Sequence, residues 1–168
     1  MSASEIGGSV ERVRAALIAA GHCDTISQFP AGTRTAADAA AAVGCTIAQI
    51  AKSIVFRSGM RAVVIITSGA NRVDQTKAET ALGVKLGRAD ADWVRQVTGF
   101  AIGGVAPVGH ASLPMLLLDE DLTALDPIWA AAGSPHHVFQ TSAAELVRIT
   151  GAKVAAIRVD RSTRPGTG

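Results

Sequence analysis

Two stretches of the sequence have residue types that could act on a bound substrate. Lys52 stands at the start of an apolar run, where a cation could face a phosphate or a carbonyl, although a solvated lysine at a helix end would have the same pattern. The segment AIGGVAPVGH at 101–110 holds three glycines and a proline. Gly103 and Gly104 have no side chain to keep a ligand away from the backbone, and Pro107 would stiffen the loop. Such a loop could donate N–H groups to an oxyanion, but ordinary turns and bulges use the same residues.

The histidine, cysteine and acidic residues form no pattern typical of a metal centre or a nucleophile. The consecutive residues HCD at 22–24 predict a solvated helix end, since neighbours in sequence rarely all reach one ion. The run DED at 119–121 predicts a solvated turn after a strand. A Gly-Ser-Pro turn delivers His136 and His137 to the start of a strand, where alternation would send them to opposite faces. The sequence has no GxSxG motif, no reactive-cysteine signature and no Walker loop.

The bulk properties favour one globular domain, which we place at residues 1–160. The chain has 168 residues, of which 48% are hydrophobic, and its mean hydropathy is +0.30. The polar, Gly/Pro-rich segment 161–168 predicts a disordered tail. Net charge is +2 and the pI is near 8.8, which is too mild for a protein that coats nucleic acid, DNA included, yet compatible with contact at one end of it. Without a CxxC motif, a secretory signal or an apolar run of bilayer length, the chain is expected in the cytoplasm and not in a membrane.

Helix caps and β-rich runs predict an α+β fold. The predicted helices cover 9–21, 35–44, 74–83, 90–99 and 142–151, each closed by a glycine. Residues 53–57 and 61–67 read as a hairpin, and further strands are expected at 100–102, 114–119, 127–131 and 136–141. The glycine-rich loop would then join two strands at a sheet end.

Four stretches resemble the YbaK/EbsC family of aminoacyl-tRNA deacylases, which are related to the editing domain inserted in bacterial prolyl-tRNA synthetases. These stretches are TRTAADAAAAVGCTIAQIAKSIVF, VTGFAIGGVAPVGH, LPMLLLDEDL and WAAAGSPHHVFQTSAAELVRITGA. The resemblance covers roughly residues 10 to 157, most of the chain. Its most specific part is a lysine before an apolar strand followed, about fifty residues later, by a GGxxPxG loop.

This resemblance implies a mixed, curled sheet that approaches a barrel and is flanked by helices. It also implies hydrolysis of the ester that joins a mischarged amino acid to the terminal ribose of tRNA, with no metal or organic cofactor. An aminoacyl ester is already activated, so that a positioned water and a polarised carbonyl can suffice; the substrate's ribose hydroxyl or a cysteine thiol could supply the nucleophile or shuttle a proton. The implied catalytic residues are Lys52, Gly103 and Gly104, and the implied substrate-binding residues are Pro107, Gly109, Gly133, His137 and Phe139.

One segment departs from the cysteinyl-tRNA deacylase branch of that family. The branch has a segment like Ser-Gly-Gly with an Asp a few residues later, whereas here Ala132 precedes Gly133 and Phe139 stands about where the Asp would be. A histidine in this segment resembles branches that clear alanine or other small amino acids. We therefore expect His137 to line the pocket and His136 to be solvated.

The expected function is a free-standing trans-editing hydrolase that acts on the acceptor end of mischarged tRNA, with tRNA(Pro) carrying Ala or Cys as the first expectation. Ser or Thr remains open as the aminoacyl group, and an aminoacyl-tRNA synthetase is a further expected partner. Two alternatives keep the fold without the reaction: a non-catalytic RNA-binding module, and a module that regulates a synthetase by protein contact.

Overall fold

The computed structural model describes residues 3–160, which form five α-helices and eight strands. The helices are α1 (Ala3–Ala19), α2 (Ala36–Val43), α3 (Gln75–Leu82), α4 (Ala91–Thr98) and α5 (Ala143–Thr150), with short 3-10 helices at Ile47–Gln49 and Glu120–Ala124. The strands are β1 (Ile26–Gln28), β2 (Ile50–Ser58), β3 (Arg61–Ser68), β4 (Gly87–Arg88), β5 (Met115–Asp119), β6 (Ile128–Ser134), β7 (His137–Thr141) and β8 (Lys153–Ala155). The tail predicted at 161–168 lies outside the described residues.

Local capping explains where four of the helices begin and end. In α2 to α5 the side chain before the helix accepts a hydrogen bond from a backbone N–H three residues later, and a glycine in the left-handed region follows the last turn. The N-caps are Thr35, Asp74, Asp90 and Ser142, and the closing glycines are Gly44, Gly83, Gly99 and Gly151. The predicted caps are confirmed at all eight positions.

All eight strands belong to one open, mixed sheet. Its order is β1-β7-β6-β2-β3-β5-β8, with β4 paired to β2 off this path. β2 and β3 form the predicted antiparallel hairpin, whereas β2 pairs with β6, β3 with β5, and β5 with β8 in parallel. The α+β prediction and the mixed sheet are therefore confirmed, and the sheet ends at β1 and β8 instead of closing.

One edge of β2 is only partly covered. β6 pairs with it at Ile50 and Ala51, and β4 pairs with it at Phe56 and Arg57. Between those two pairings, the described part of the chain supplies no strand beside residues 52–55. This gap places Lys52 at an opening in the sheet.

Both faces of β3 are covered, which accounts for its unbroken apolar sequence. Val64 and Ile66 pack with α1, α4 and α5 in the larger core, while Val63 and Ile65 pack on the other face with Ala78 of α3. All four of these β3 side chains are fully buried.

The strand predicted at 100–102 is wrong. Phe100 is fully buried in the larger core, but its N–H bonds to Thr98 Oγ1 and the chain then turns, with the Gly104 N–H bonding to Ala101 O. Residues 100–102 are apolar because the Phe100 ring anchors the loop in the core, not because the segment is a strand of the sheet. The glycine-rich loop therefore connects α4 to β5.

Two polar runs, HCD at 22–24 and DED at 119–121, are predicted to be solvated, but each contains one buried residue. Asp119 is 1% exposed: its Oδ2 accepts from Thr67 Oγ1 at 2.9 Å and from Asn71 Nδ2 at 2.8 Å. His22 is 8% exposed, and its Nε2 lies 3.0 Å from Thr141 Oγ1. Each polar group was predicted exposed from its neighbours in sequence, while its partners come from distant segments.

Candidate active site

A cavity of about 440 Å³ opens beside the uncovered edge of β2. Its walls come from the start of α2, the glycine-rich loop, β6 and β7. We call it the Lys52 cavity. It is lined by Thr33, Arg34, Thr35, Ala36, Ala39, Ile50, Ala51, Lys52, Ser53, Ile54, Ile102, Gly103, Val105, Trp129, Ala130, Ala131 and Val138. No carboxylate is among these residues, so the cavity combines apolar walls with two cationic side chains.

Lys52 is half-buried in this cavity and opposes Thr67 across the β2–β3 ladder. Burial, and next the charge of Arg72, lower the pKa of its ammonium group. Within residues 8–160 no carboxylate or hydrogen-bond acceptor pairs with that group. Lys52 is thus a cation held in position by its strand, with its charge left for a ligand.

The two adjacent glycines of the loop lie in different places. Gly103 lines the cavity with a φ of +94°, and its N–H has no hydrogen-bond partner among the described residues. Gly104 lies outside the lining, and its N–H is bonded to Ala101 O at 3.0 Å. Of the pair, only Gly103 has an N–H that could reach an oxyanion in the cavity.

Pro107 and Gly109 line a second cavity, of about 470 Å³, together with His110. Arg12 Nε donates to Gly109 O at 3.0 Å, and a Cβ on Gly109 would lie 3.2 Å from Arg12 O. This half of the loop packs against α1. The structure therefore separates Pro107 and Gly109 from Lys52 and Gly103.

The cavity wall in β7 is Val138, and neither His137 nor Phe139 is among the described lining residues. Phe139 is fully buried in the larger core, and its ring meets His22 edge-on at 5.7 Å. His137 Nδ1 lies 2.6 Å from Ser134 Oγ. Val138 pairs with Ala131 of β6, another lining residue, and alternation along β7 places His137 on the other face of the strand.

Gly133 and His136 have structural contacts near this wall. Gly133 has a φ of +100°, and a Cβ there would lie 2.7 Å from Ser9 O of α1. His136 lies in the β6–β7 turn, where its Nδ1 is 3.1 Å from Phe29 O and its N–H donates to Ser134 Oγ. His136 was expected to be solvated and is instead half-buried.

Sequence reasoning missed Arg34 and Ser53. Ser53 Oγ is buried at the cavity without a hydrogen-bond partner in the described chain, and a serine directly after Lys52 in an apolar strand was a usable signal. Arg34 had none. It reaches the cavity because the Thr33 N–H and Oγ1 both donate to Pro135 O, a contact between distant segments.

In the part of the chain that the structure describes, no group of three or more His, Cys, Asp or Glu side chains is placed to hold a metal ion. Nor does any helix of residues 3–160 have the length and apolar character needed to cross a bilayer.

Comparison with known proteins assigns this architecture. The model of the aminoacyl-tRNA editing domain matches residues 30–149. The YwhH protein of Bacillus subtilis (strain 168) is 30% identical over 130 residues, which cover 77% of this chain and 83% of YwhH. A crystal structure described as "a putative trans-editing enzyme for prolyl tRNA synthetase" is 43% identical, with a TM-score of 0.84 over 90% of this chain and 98% of that one. A protein from work on scaffolds for epitope grafting is 41% identical, with a TM-score of 0.85 and the same two coverages.

The matched region contains Lys52, the glycine-rich loop and every residue that lines the Lys52 cavity. The chain belongs to the aminoacyl-tRNA editing domain family, of the YbaK type.

Proposed function

We propose that this protein is a trans-editing hydrolase that removes a small, wrongly attached amino acid from tRNA, with tRNA(Pro) as the carrier. The observation that carries the proposal is the meeting of Lys52 and Gly103 in one open cavity of about 440 Å³. That volume is within the range of roughly 300–1,000 Å³ usual for small-ligand sites. A cation and an N–H that have no partner among residues 8–160 suit an ester next to a phosphate there.

The reaction needs little from the protein beyond position and polarity. Water adds to the ester carbonyl carbon, and the bond from that carbon to the ribose oxygen then breaks. The amino acid leaves as a carboxylic acid that ionises, and the ribose hydroxyl is restored. The Gly103 N–H is the candidate donor to the carbonyl oxygen as its charge develops. Lys52 holds the terminal adenosine or its phosphate, which keeps the ester in register.

The walls of the cavity favour a small apolar aminoacyl group. Ala130, Ala131 and Val138 offer methyl groups and no hydrogen-bonding side chain. An alanyl or cysteinyl side chain could be buried there without leaving a strong hydrogen-bonding group unpaired. The hydroxyl of a seryl or threonyl group would need a hydrogen-bond partner. Alanine and cysteine are therefore our first substrates, and Ser53 Oγ is the group that could receive a hydroxyl.

Two partners follow from this reaction. The acceptor end of tRNA must enter the cavity, and a prolyl-tRNA synthetase is the enzyme whose errors would be corrected. The place of action is then the cytoplasm, where aminoacyl-tRNA is used.

Deacylation of a panel of tRNA(Pro) charged with Ala, Cys, Ser or Pro tests the proposal. We expect release of Ala or Cys and no release of Pro. The Lys52→Ala variant should lose most of this activity with a nearly unchanged melting temperature, while Lys85→Ala, at a side chain that is 95% exposed, should keep it. A wild-type protein that binds tRNA and releases no amino acid from any member of the panel would instead be a non-catalytic module.

A further inference from the structure

Cations on this protein fall into two groups according to their partners. Nine of the described lysine and arginine side chains contact a carboxylate or a backbone carbonyl. Five have no such partner within residues 8–160: Arg34, Lys52, Arg72, Arg88 and Arg95. Two of the five line the Lys52 cavity, and Arg72 acts on Lys52 electrostatically. Within residues 8–160, three of the five cations without a partner therefore lie at this cavity or act on Lys52 beside it.

Arg34 lies directly over the glycine-rich loop. A Cβ on Gly103 would lie 2.7 Å from Arg34 Cγ and 3.4 Å from Arg34 Nε, so that the stem of the arginine covers that glycine. The residue as a whole is exposed and lines the cavity. Its guanidinium group can therefore reach a ligand that enters from solvent.

Arg72 follows the end of β3, close to the first residues of β2. The Gly69 N–H donates to Ile50 O at 2.7 Å, and the buried Asn71 side chain donates to Asp119 at 2.8 Å. These bonds fix the segment on both sides of the strand end. Arg72 is exposed there, and its charge contributes to the lowered pKa of Lys52.

We propose that Arg34 and Arg72 bind backbone phosphates of the tRNA acceptor strand as its 3′ end enters the Lys52 cavity. The inference rests on the function proposed above and adds residues to it. A guanidinium group presents a fork of N–H donors that matches two phosphate oxygens. Contacts of this kind set register and orientation without reading sequence. Lys52 and Gly103 are then left to the terminal adenosine and the ester.

Binding of uncharged tRNA, and of a short single-stranded RNA with the tRNA 3′-terminal sequence, tests this inference without any deacylation. We expect Arg34→Gln and Arg72→Gln each to weaken binding roughly fivefold at low salt. Each should also reduce the slope of log K against log salt by about 0.7, the value for one phosphate contact on a single strand. Arg95→Gln is the matched control, because Arg95 is an exposed arginine that is likewise unpartnered among the described residues but lies outside the cavity lining. It should leave affinity and slope unchanged.

A second measurement separates phosphate contact from ester contact. On a 3′-aminoacyl adenosine, which has no phosphate, the Arg34→Gln and Arg72→Gln variants should each lose about fivefold less kcat/KM than they lose on aminoacyl-tRNA, because the phosphate contact is absent there. An unchanged salt slope in both variants would overturn the inference. A loss of kcat/KM on the phosphate-free substrate that equals the loss on aminoacyl-tRNA would overturn it as well. If the wild-type protein binds RNA with these slopes yet hydrolyses no aminoacyl ester, the proposed hydrolase fails while the phosphate contacts stand.

Discussion

Gly104 lies against the backbone of Ser134: a Cβ at Gly104 would be 2.7 Å from Ser134 Cα and 2.8 Å from Ser134 N. The Gly133 N–H next to it donates to Gly104 O at 3.1 Å. This contact fastens the glycine-rich loop to β6. The adjacent Gly103 is consequently held at the mouth of the cavity by its neighbour.

Gly104→Ala should therefore destabilise the protein. Backbone atoms of a buried strand cannot move aside as a flexible side chain can, and overpacking of this kind typically costs about 1–3 kcal/mol. Urea unfolding should show a lower midpoint. Gly8→Ala is the control, since a Cβ at that helical glycine has nothing within 4 Å, and it should be neutral or slightly stabilising. Equal midpoints for Gly104→Ala and wild type would mean that the loop is not fastened at this point.

Gly103→Ala should act mainly on the reaction. Its Cβ would meet the movable stem of Arg34, but it would also project into the mouth of the cavity beside the N–H proposed to polarise the ester. We expect kcat/KM for alanyl-tRNA(Pro) to fall by at least about tenfold, since the loss of an oxyanion donor costs on the order of 10²-fold. Gly59→Ala, another glycine with positive φ and open space around it, controls for backbone strain. Full activity of Gly103→Ala on every substrate would remove the loop from the mechanism.

The contribution of Lys52 to tRNA binding should depend on pH. Because burial and Arg72 lower its pKa, the ammonium group should lose its proton at a lower pH than an ordinary lysine, whose pKa is about 10.4. The affinity advantage of wild type over Lys52→Ala should then disappear as pH rises through the lowered pKa. Lys52→Arg should keep the advantage at the same pH. Adenosine 5′-monophosphate is the probe, because both the aminoacyl ester and the RNA backbone are cleaved in base; a wild-type advantage that persists above about pH 11 would contradict the prediction.

Val138 should control the size of the accepted amino acid. It is 2% exposed and belongs to the cavity wall, so that Val138→Ala enlarges the space where the aminoacyl side chain would lie. We expect the ratio of kcat/KM for a valyl to an alanyl ester on tRNA(Pro) to rise about tenfold, the scale of one or two methylene groups. His137→Ala should change that ratio less than twofold. A large change in the ratio for His137→Ala and none for Val138→Ala would show that His137, and not Val138, lines the aminoacyl pocket.

Stability should decline in mild acid through His110. Burial, its largest influence, lowers the pKa of this imidazole below the ordinary value of 6.5, and the charge of Arg12 acts in the same direction. A histidine with a depressed folded pKa contributes stability above its unfolded pKa and loses it as pH falls through the folded value. The free energy of unfolding should therefore drop between about pH 7.5 and about pH 5.5. His110→Phe, which loses the bond to Ala106 O, should be less stable at both values and show a smaller drop; an identical drop would assign the effect to other groups.

Local patterns were enough to predict the caps, the hairpin and the α+β class. Thr35 and Gly44, for example, cap the two ends of α2 through contacts within a few residues. The sequence around them is therefore enough to predict where the helix begins and ends. Resemblance to a family, not residue chemistry alone, singled out Lys52 and the glycine-rich loop. The structure then divides that loop between two cavities at a point that no spacing in the sequence reveals.

The misplaced residues share a cause. Asp119 and His22 are buried because Asn71 and Thr141 meet them from far along the chain. Val138, and not His137, lines the cavity because it pairs with Ala131 of β6, and directly paired residues point to the same face of the sheet. Arg34 reaches the cavity through Thr33 and Pro135. Each outcome depends on tertiary pairing, which single-sequence patterns do not encode.

The pairing of β1 with β7 has a consequence for how this chain is made. Thr25 Oγ1 bonds to Gln140 O across 115 residues, and the parallel partner of β2 is β6. The first half of the chain emerges from the ribosome with β2 complete but with three walls of its cavity, the glycine-rich loop, β6 and β7, still to be synthesised. Contacts so distant in sequence close slowly. The nascent protein must therefore hold an apolar, half-finished sheet until β7 is made, and the proposed binding of RNA at this cavity has to wait for residue 138.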